Sequence, residues 1–180
     1  MRLTTKEQEA INSWTDNISH QYRYIKGILR GDYEGSLKSI YEPQAKLLLE
    51  LFTKYPDNTN NQTLYRGDVL EKEYQKYLDD NPIDKCITLE DTILSFTLSK
   101  KIAIKSYENS DKNKDDSTPT ILYIVNKKES VFLDISNYSK LSHEKEVLCN
   151  RGIKFLVTKI EEKKNNHLIY YLDECIQNRN

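Results

Sequence analysis

An α+β domain is what this sequence predicts, with helices first and strands later. Two observations carry that expectation. Up to Tyr55 the apolar residues recur at helical spacing, whereas beyond the turn-forming run Asp57-Asn58-Thr59-Asn60-Asn61 they fall into short β-branched and aromatic runs. With 180 residues the chain is read as one domain, helical over about 1–56 and strand-rich over about 62–175.

Thr4 or Thr5 opens the first helix, because a hydroxyl cap followed by Glu7 and Glu9 satisfies free amides and complements the dipole; Ala10, Ile11 and Trp14 form its apolar face. A second helix spans about Gln21 to Leu29 and ends at Arg30-Gly31, with glycine as the C-cap. Leu37, Ile40, Tyr41, Leu47, Leu48, Leu51 and Phe52 place a third between Ser36 and Tyr55, with Pro43 marking its start. Strands are expected over Gln62 to Arg66, Cys86 to Leu89, Thr92 to Thr97, Thr120 to Val125, Ser130 to Leu133 and His167 to Leu172, with Glu144 to Val157 as a hairpin-like pair about Asn150-Arg151-Gly152. Helices are expected over Glu71 to Tyr77 and over Ser99 to Ser106, the latter capped by its own serine, and an exposed loop over Glu108 to Pro119.

Composition excludes several classes. The charged fraction is 31% against 37% apolar, and 13 Tyr with 4 Phe supply the core material that disordered chains lack. A net charge of −1 gives no global field toward nucleic acid or membrane, and no run approaches the roughly 20 apolar residues of a membrane span. His20, His143 and His167 stand in no metal-binding spacing. Cys86, Cys149 and Cys175 are odd in number and widely spaced, so they read as buried thiols in a reducing compartment. Nothing near Met1 resembles an apolar signal segment, and the expected setting is a cytosol, the chain's own or that of a cell into which it is delivered.

Three features stand in order along the strand-rich part: Leu64-Tyr65-Arg66-Gly67-Asp68, Leu94-Ser95-Phe96-Thr97-Leu98-Ser99-Lys100 and Glu144-Lys145-Glu146-Val147-Leu148. On a strand, Glu144 and Glu146 at i and i+2 would share one face, with Lys145 on the other. Read alone, each feature is bland. Glu144 and Glu146 are then a solvated strand face, Arg66 a half-buried arginine paired with Asp68 or another acid, and Ser95 and Thr97 plain strand hydroxyls.

Together, in this order and at these gaps, the three resemble the Arg, Ser, Glu signature of the mono-ADP-ribosyltransferases, in the arginine-specific E-x-E branch that includes bacterial toxins, vertebrate ectoenzymes and phage enzymes. The resemblance reaches the N-terminus, where Glu9-Ala10-Ile11-Asn12-Ser13-Trp14-Thr15 is similar to the family's E-x-A-I-x-x-Y-T and the stretch Tyr22 to Gly31 to its Y-x-x-I-N-x-x-L-R-G. It implies a single catalytic domain with two roughly perpendicular antiparallel sheets around an NAD cleft, NAD as co-substrate and no metal. The implied reaction moves ADP-ribose from NAD to a protein arginine.

The chemistry suits those residue types. Breaking the bond between nicotinamide and ribose develops positive charge on the sugar, which a carboxylate stabilises. The resemblance gives that role to Glu146, oriented by Ser95. A guanidinium stays protonated in water, so an arginine acceptor needs a second carboxylate to orient it and take its proton; the resemblance gives this to Glu144. Arg66 would pair with NAD phosphate and Gly67 would let the backbone approach the nicotinamide amide. Thr97, Tyr22 and Tyr107 complete the implied NAD site, Tyr107 being equally a core residue. Asn137 to His143 would be the acceptor-recognition loop, departing from the family in having Leu141 at its usual aromatic position, with Tyr138 three residues earlier. Lys26 stands where the family often has asparagine.

The same residues also suit other readings: RNA or another nucleophile as acceptor, NAD hydrolysis, a module that binds NAD without turnover, or an interaction domain whose motifs are chance.

Overall fold

Local chemistry sets the helical segment first. The structure, a computed structural model, describes residues 1–16, 19–55, 62–69, 82–109, 120–128, 132–163 and 167–175. Helix α1 (Thr5–Trp14) starts at a capping box: the Thr4 hydroxyl accepts from the Glu7 amide, and Glu7 Oε2 accepts from the Thr4 amide at 2.7 Å. Glu7 also accepts from Lys54 at 2.6 Å, which ties α1 to the end of α3 (Lys38–Lys54). Between them α2 (Gln21–Arg30) ends on Gly31 at φ 82°, where the Asp32 amide reaches back to the Gly27 carbonyl at 3.0 Å. Pro43 lies inside α3 and does not mark its beginning, which is a correction to the sequence reading. Near a helix start its missing N–H removes only one ladder bond, so the helix runs through.

The chain divides into two compact units. The first comprises Met1–Asn58, Glu90–Ser95 and Val131–Gly152. Its core joins Ala10, Ile11 and Trp14 of α1 to Ile25, Leu29, Ala45, Leu48, Leu51 and Phe52 of α2 and α3, and to Ile93, Leu133, Ile135 and Leu148. Burying each large apolar side chain contributes about 1.5–3 kcal/mol. Leu133 and Leu148 face each other in a small antiparallel ladder in which β5 (Phe132–Asp134) pairs with β6 (Glu146–Cys149), and Ile135 follows directly after β5. On the other side of β6 lies β3 (Leu94–Thr97), which contributes Leu94 and Ser95 to this unit.

The second unit comprises Thr59–Leu89, Phe96–Ser130 and Ile153–Asn180. Its strands are β1 (Thr63–Val69), β2 (Cys86–Thr88), the Phe96-Thr97 end of β3, β4 (Thr120–Asn126), β7 (Lys154–Lys163) and β8 (His167–Glu174), in the order β2-β7-β8-β4-β1-β3. Among the described residues β4 and β8 pair in parallel, whereas β1 with β3, β1 with β4, β2 with β7 and β7 with β8 pair antiparallel. Helix α4 (Lys100–Asn109) follows β3 and takes in Glu108 and Asn109, which the sequence reading placed in a loop. The helix expected over Glu71 to Tyr77 and the loop residues 110–119 lie outside the described residues.

The structure departs from the sequence reading at two further points. Strands β6 and β7 do not form a hairpin: β6 pairs with β5, whereas β7 pairs with β2 and β8. Nor are all three cysteines buried thiols. Cys86 on β2 and Cys175, just past β8, form a disulfide with Cα atoms 6.6 Å apart, and Cys149 is a buried thiol outside that bond. The two flank β7, Cys86 opposite Leu156 and the Cys175 amide donating to the Lys154 carbonyl at 2.9 Å, so the sheet register brings together residues 89 positions apart. Opening the bond by Cys86→Ser is expected to cost about 2–4 kcal/mol. Thermal melts with and without reductant check this; a wild-type midpoint indifferent to reductant would show that the bond contributes nothing.

Candidate active site

The first unit holds the central carboxylate. Glu146 is the first residue of β6, and its neighbours Val147, Leu148 and Cys149 are buried, so the strand is rigidly seated. Its own backbone carbonyl accepts from the Ile135 amide at 3.1 Å, beyond the end of the β5 ladder. The side chain is buried as well, at 7% exposure. Oε1 accepts from the Ser95 hydroxyl at 2.5 Å and from the Trp14 indole N–H at 3.2 Å, and Trp14 Nε1 stands 3.1 Å from Ser95 Oγ. Burial pushes the Glu146 carboxyl above the ordinary carboxylate range, with the nearby charge of Glu144 adding to the rise, while the bonds from Ser95 and Trp14 pull it down.

Glu144 reaches this carboxylate by a route other than strand alternation. It ends a short 3₁₀ turn, Ser142–Glu144, and Lys145 follows in the left-handed conformation at φ 50°, ψ 50°. The strand begins only at Glu146. The expectation that both glutamates share one strand face is thereby corrected: a tight turn closed by Glu144 N to Leu141 O at 2.8 Å brings them near each other. A non-glycine residue in that region costs about 1–2 kcal/mol and persists where its surroundings over-determine it, as sites do. Glu144 is half-buried, and burial raises its pKa too, opposed by the charge of His143.

The loop before the turn is pinned to the end of α1. Lys140 donates its amide to the Thr15 hydroxyl at 3.4 Å and its ammonium to Asp16 at 3.3 Å, and the buried Ser139 hydroxyl accepts from the Leu141 amide at 3.0 Å. Tyr138 packs against the core of the unit, its hydroxyl donating to the Met1 carbonyl. Leu141 is half-buried and His143 exposed. On α2, the Tyr22 hydroxyl accepts from Arg23 Nε at 3.2 Å, and Lys26 pairs with Glu90 at 3.3 Å.

The second unit carries the other predicted residues. Arg66 on β1, opposite Tyr123 of β4, directs Nε and Nη2 at a single oxygen of Asp68, 3.1 and 2.7 Å away. The two side chains sit at i and i+2 on one strand face, the pairing that the residues alone suggested. Gly67 follows opposite Leu122. Thr97 is buried, and its hydroxyl accepts from the Ser99 amide at 3.0 Å, at the entry to α4. Tyr107 lies in α4, and its side chain is outside the described residues. Thus Ser95, Glu144 and Glu146 come together in one unit, while Arg66, Gly67 and Thr97 belong to the other.

Trp14 is the residue that sequence reasoning missed. It reads as one apolar position of an amphipathic helix, yet its N–H is spent on the catalytic candidate. The available signal was its place in the E-x-A-I-x-x-Y-T stretch, where tyrosine and tryptophan share an apolar body with a polar tip. Among the described residues no group of three or more His, Cys, Asp or Glu could hold a metal, and no helix is long and apolar enough to cross a membrane.

No protein-family model and no curated protein matches the sequence. Solved structures do match in three dimensions. The ADP-ribosyltransferase Vis, a toxin of Vibrio splendidus solved with agmatine, aligns at a TM-score of 0.75 with 21% identity, covering 98% of this chain and 77% of that one. The chain has the ADP-ribosyltransferase fold. The C3 exoenzyme of Clostridium limosum shares this fold at a TM-score of 0.66 and 17% identity, covering 97% of this chain and 87% of its own. Exoenzyme S of Pseudomonas aeruginosa, solved with human 14-3-3 protein beta and Carba-NAD, aligns at 0.67 and 15% identity over 96% of this chain and 74% of its own. In this ADP-ribosyltransferase fold the Glu146 cluster is assembled from α1, β3 and β6.

Proposed function

We propose that the chain is a mono-ADP-ribosyltransferase that moves ADP-ribose from NAD to a protein arginine and releases nicotinamide. The observation that carries this reading is a buried carboxylate, Glu146, anchored through one oxygen by Ser95 and Trp14 with a second carboxylate, Glu144, beside it. Cleavage of the bond from ribose C1′ to the nicotinamide nitrogen sends the electron pair to nicotinamide and leaves positive charge on the sugar, which Glu146 stabilises. The acceptor nitrogen then bonds to C1′ and gives its proton to Glu144. Arg66 exchanges its partner Asp68 for NAD phosphate, with Gly67, Thr97, Tyr22 and Tyr107 completing the NAD site and Tyr138 and Leu141 the acceptor side. Two roughly perpendicular sheets around NAD belong to this proposal on the strength of the fold likeness.

Two features of the similar structures support the substrates: one was solved with an NAD analogue and another with agmatine, a guanidinium compound. The chemistry of E-x-E favours arginine for the same reason. The test is incubation of the protein with labelled NAD and a cell lysate, alongside thermal melts with and without NAD. Label in protein, released nicotinamide and a melting temperature raised by NAD are expected. Label in nucleic acid would move the acceptor to RNA or DNA, and nicotinamide release without label transfer would make the chain an NAD hydrolase. A shift with NAD but no turnover would make it a binding module, and no shift at all would sink the NAD reading.

A further inference from the structure

We infer that Trp14 is a positioning residue of this site, its indole N–H fixing Glu146 so that Oε1 is anchored and Oε2 is presented to substrate. The inference rests on the ADP-ribosyltransferase reading only for what Oε2 would meet. Indole nitrogen donates one hydrogen and accepts none, and a serine hydroxyl donates one. Trp14 Nε1 lies 3.1 Å from Ser95 Oγ and 3.2 Å from Glu146 Oε1, and Ser95 Oγ lies 2.5 Å from the same Oε1. The serine hydrogen therefore goes to Oε1, and the indole hydrogen is shared between Oε1 and the serine lone pair. Both donors converge on one carboxylate oxygen. Among the described residues Oε2 takes no hydrogen bond, so it is the oxygen left for an incoming hydroxyl.

The indole is itself immobile. Trp14 is 4% exposed and packs in the core of the first unit with Ile11, Leu48 and Leu148 among its companions, so its N–H is aimed before substrate arrives. Among the described residues, the other groups that act on Glu146 are Ser95 of β3 and Glu144 of the turn, with His143 acting on Glu144. Of these, the Glu144 charge opposes ionisation of Glu146, and only the two donors favour it.

The chain contains one tryptophan, which makes the test specific. Growth of ¹⁵N-labelled protein gives a single indole N–H resonance, followed by NMR as pH is raised through the Glu146 titration. The resonance is expected to move with the ¹³C carboxyl signal of Glu146 and to lose that movement in Glu146→Gln. Replacement of the tryptophan by 3-benzothienylalanine keeps the ring shape and removes the N–H, which avoids the folding risk of Trp14→Phe. It is expected to raise the Glu146 pKa and, in NAD turnover, to shift the acid limb to higher pH and lower kcat by about tenfold with little change in KM. Protein carrying 5-fluorotryptophan, which retains the N–H, should behave as wild type. An indole resonance that ignores the Glu146 titration, or an unchanged Glu146 pKa in the benzothienylalanine protein, would overturn the inference. The NMR arm needs no turnover, so a wild-type protein that leaves NAD intact would defeat the proposed function while Trp14 was still decided.

Discussion

Glu146→Gln is expected to reduce NAD consumption and ADP-ribose transfer together by about 10³-fold or more, since a neutral amide cannot offset charge developing on the ribose. The magnitude follows from the burial of the site: a carboxylate at 7% exposure acts where water screens it little. The same substitution should leave the fold intact or firmer. Burial and the Glu144 charge raise the folded-state pKa of Glu146 above its unfolded value, so folding favours the protonated form. Stability from that preference is present below the unfolded pKa and is lost as pH rises through the folded one. Above the unfolded value wild type therefore carries the cost of burying an acid that ionises in the unfolded chain, which glutamine lacks while its amide oxygen still accepts from Ser95 and Trp14. The melting temperature of Glu146→Gln should equal or exceed that of wild type at neutral pH, the difference shrinking toward acid. Thermal melts across pH, beside labelled-NAD assays, check both halves; a variant that turns over NAD normally would remove Glu146 from the chemistry.

Glu144→Gln should separate transfer from hydrolysis. A guanidinium acceptor needs a base to lose its proton as it bonds to C1′, and general-base assistance contributes about 10²–10⁴-fold. Water as acceptor makes no such demand on Glu144. Transfer of label to protein arginine or to agmatine is thus expected to fall by about that factor, with nicotinamide release from NAD kept within a few-fold of wild type. Because burial raises the Glu144 pKa, residual wild-type transfer should decline on the acid side of neutrality sooner than an exposed glutamate would allow. Equal loss of both activities would place Glu144 with Glu146 in stabilising the ribose and take away the argument for an arginine acceptor.

Local signals in the sequence fared differently from long-range ones. The Thr4 and Glu7 capping box, the Gly31 C-cap and most strands were legible because each depends on residues within a few positions of one another. The Arg66 pairing with Asp68 was legible for the same reason, two positions apart on one strand. The proximity of Glu144 and Glu146 was anticipated by way of a strand that is in fact a 3₁₀ turn, because the left-handed Lys145 between them has no signature in side-chain type.

By itself, then, the sequence determined the succession of helices and strands, the three motifs and the class of chemistry that their side chains suit. Tertiary structure decided the partners. Trp14 and Glu146, 132 positions apart, and Cys86 and Cys175, 89 apart, meet only because sheet register and helix packing bring them together. Hydrogen-bond and disulfide geometry is satisfied over a few ångströms of space, and separation along the chain does not encode those distances.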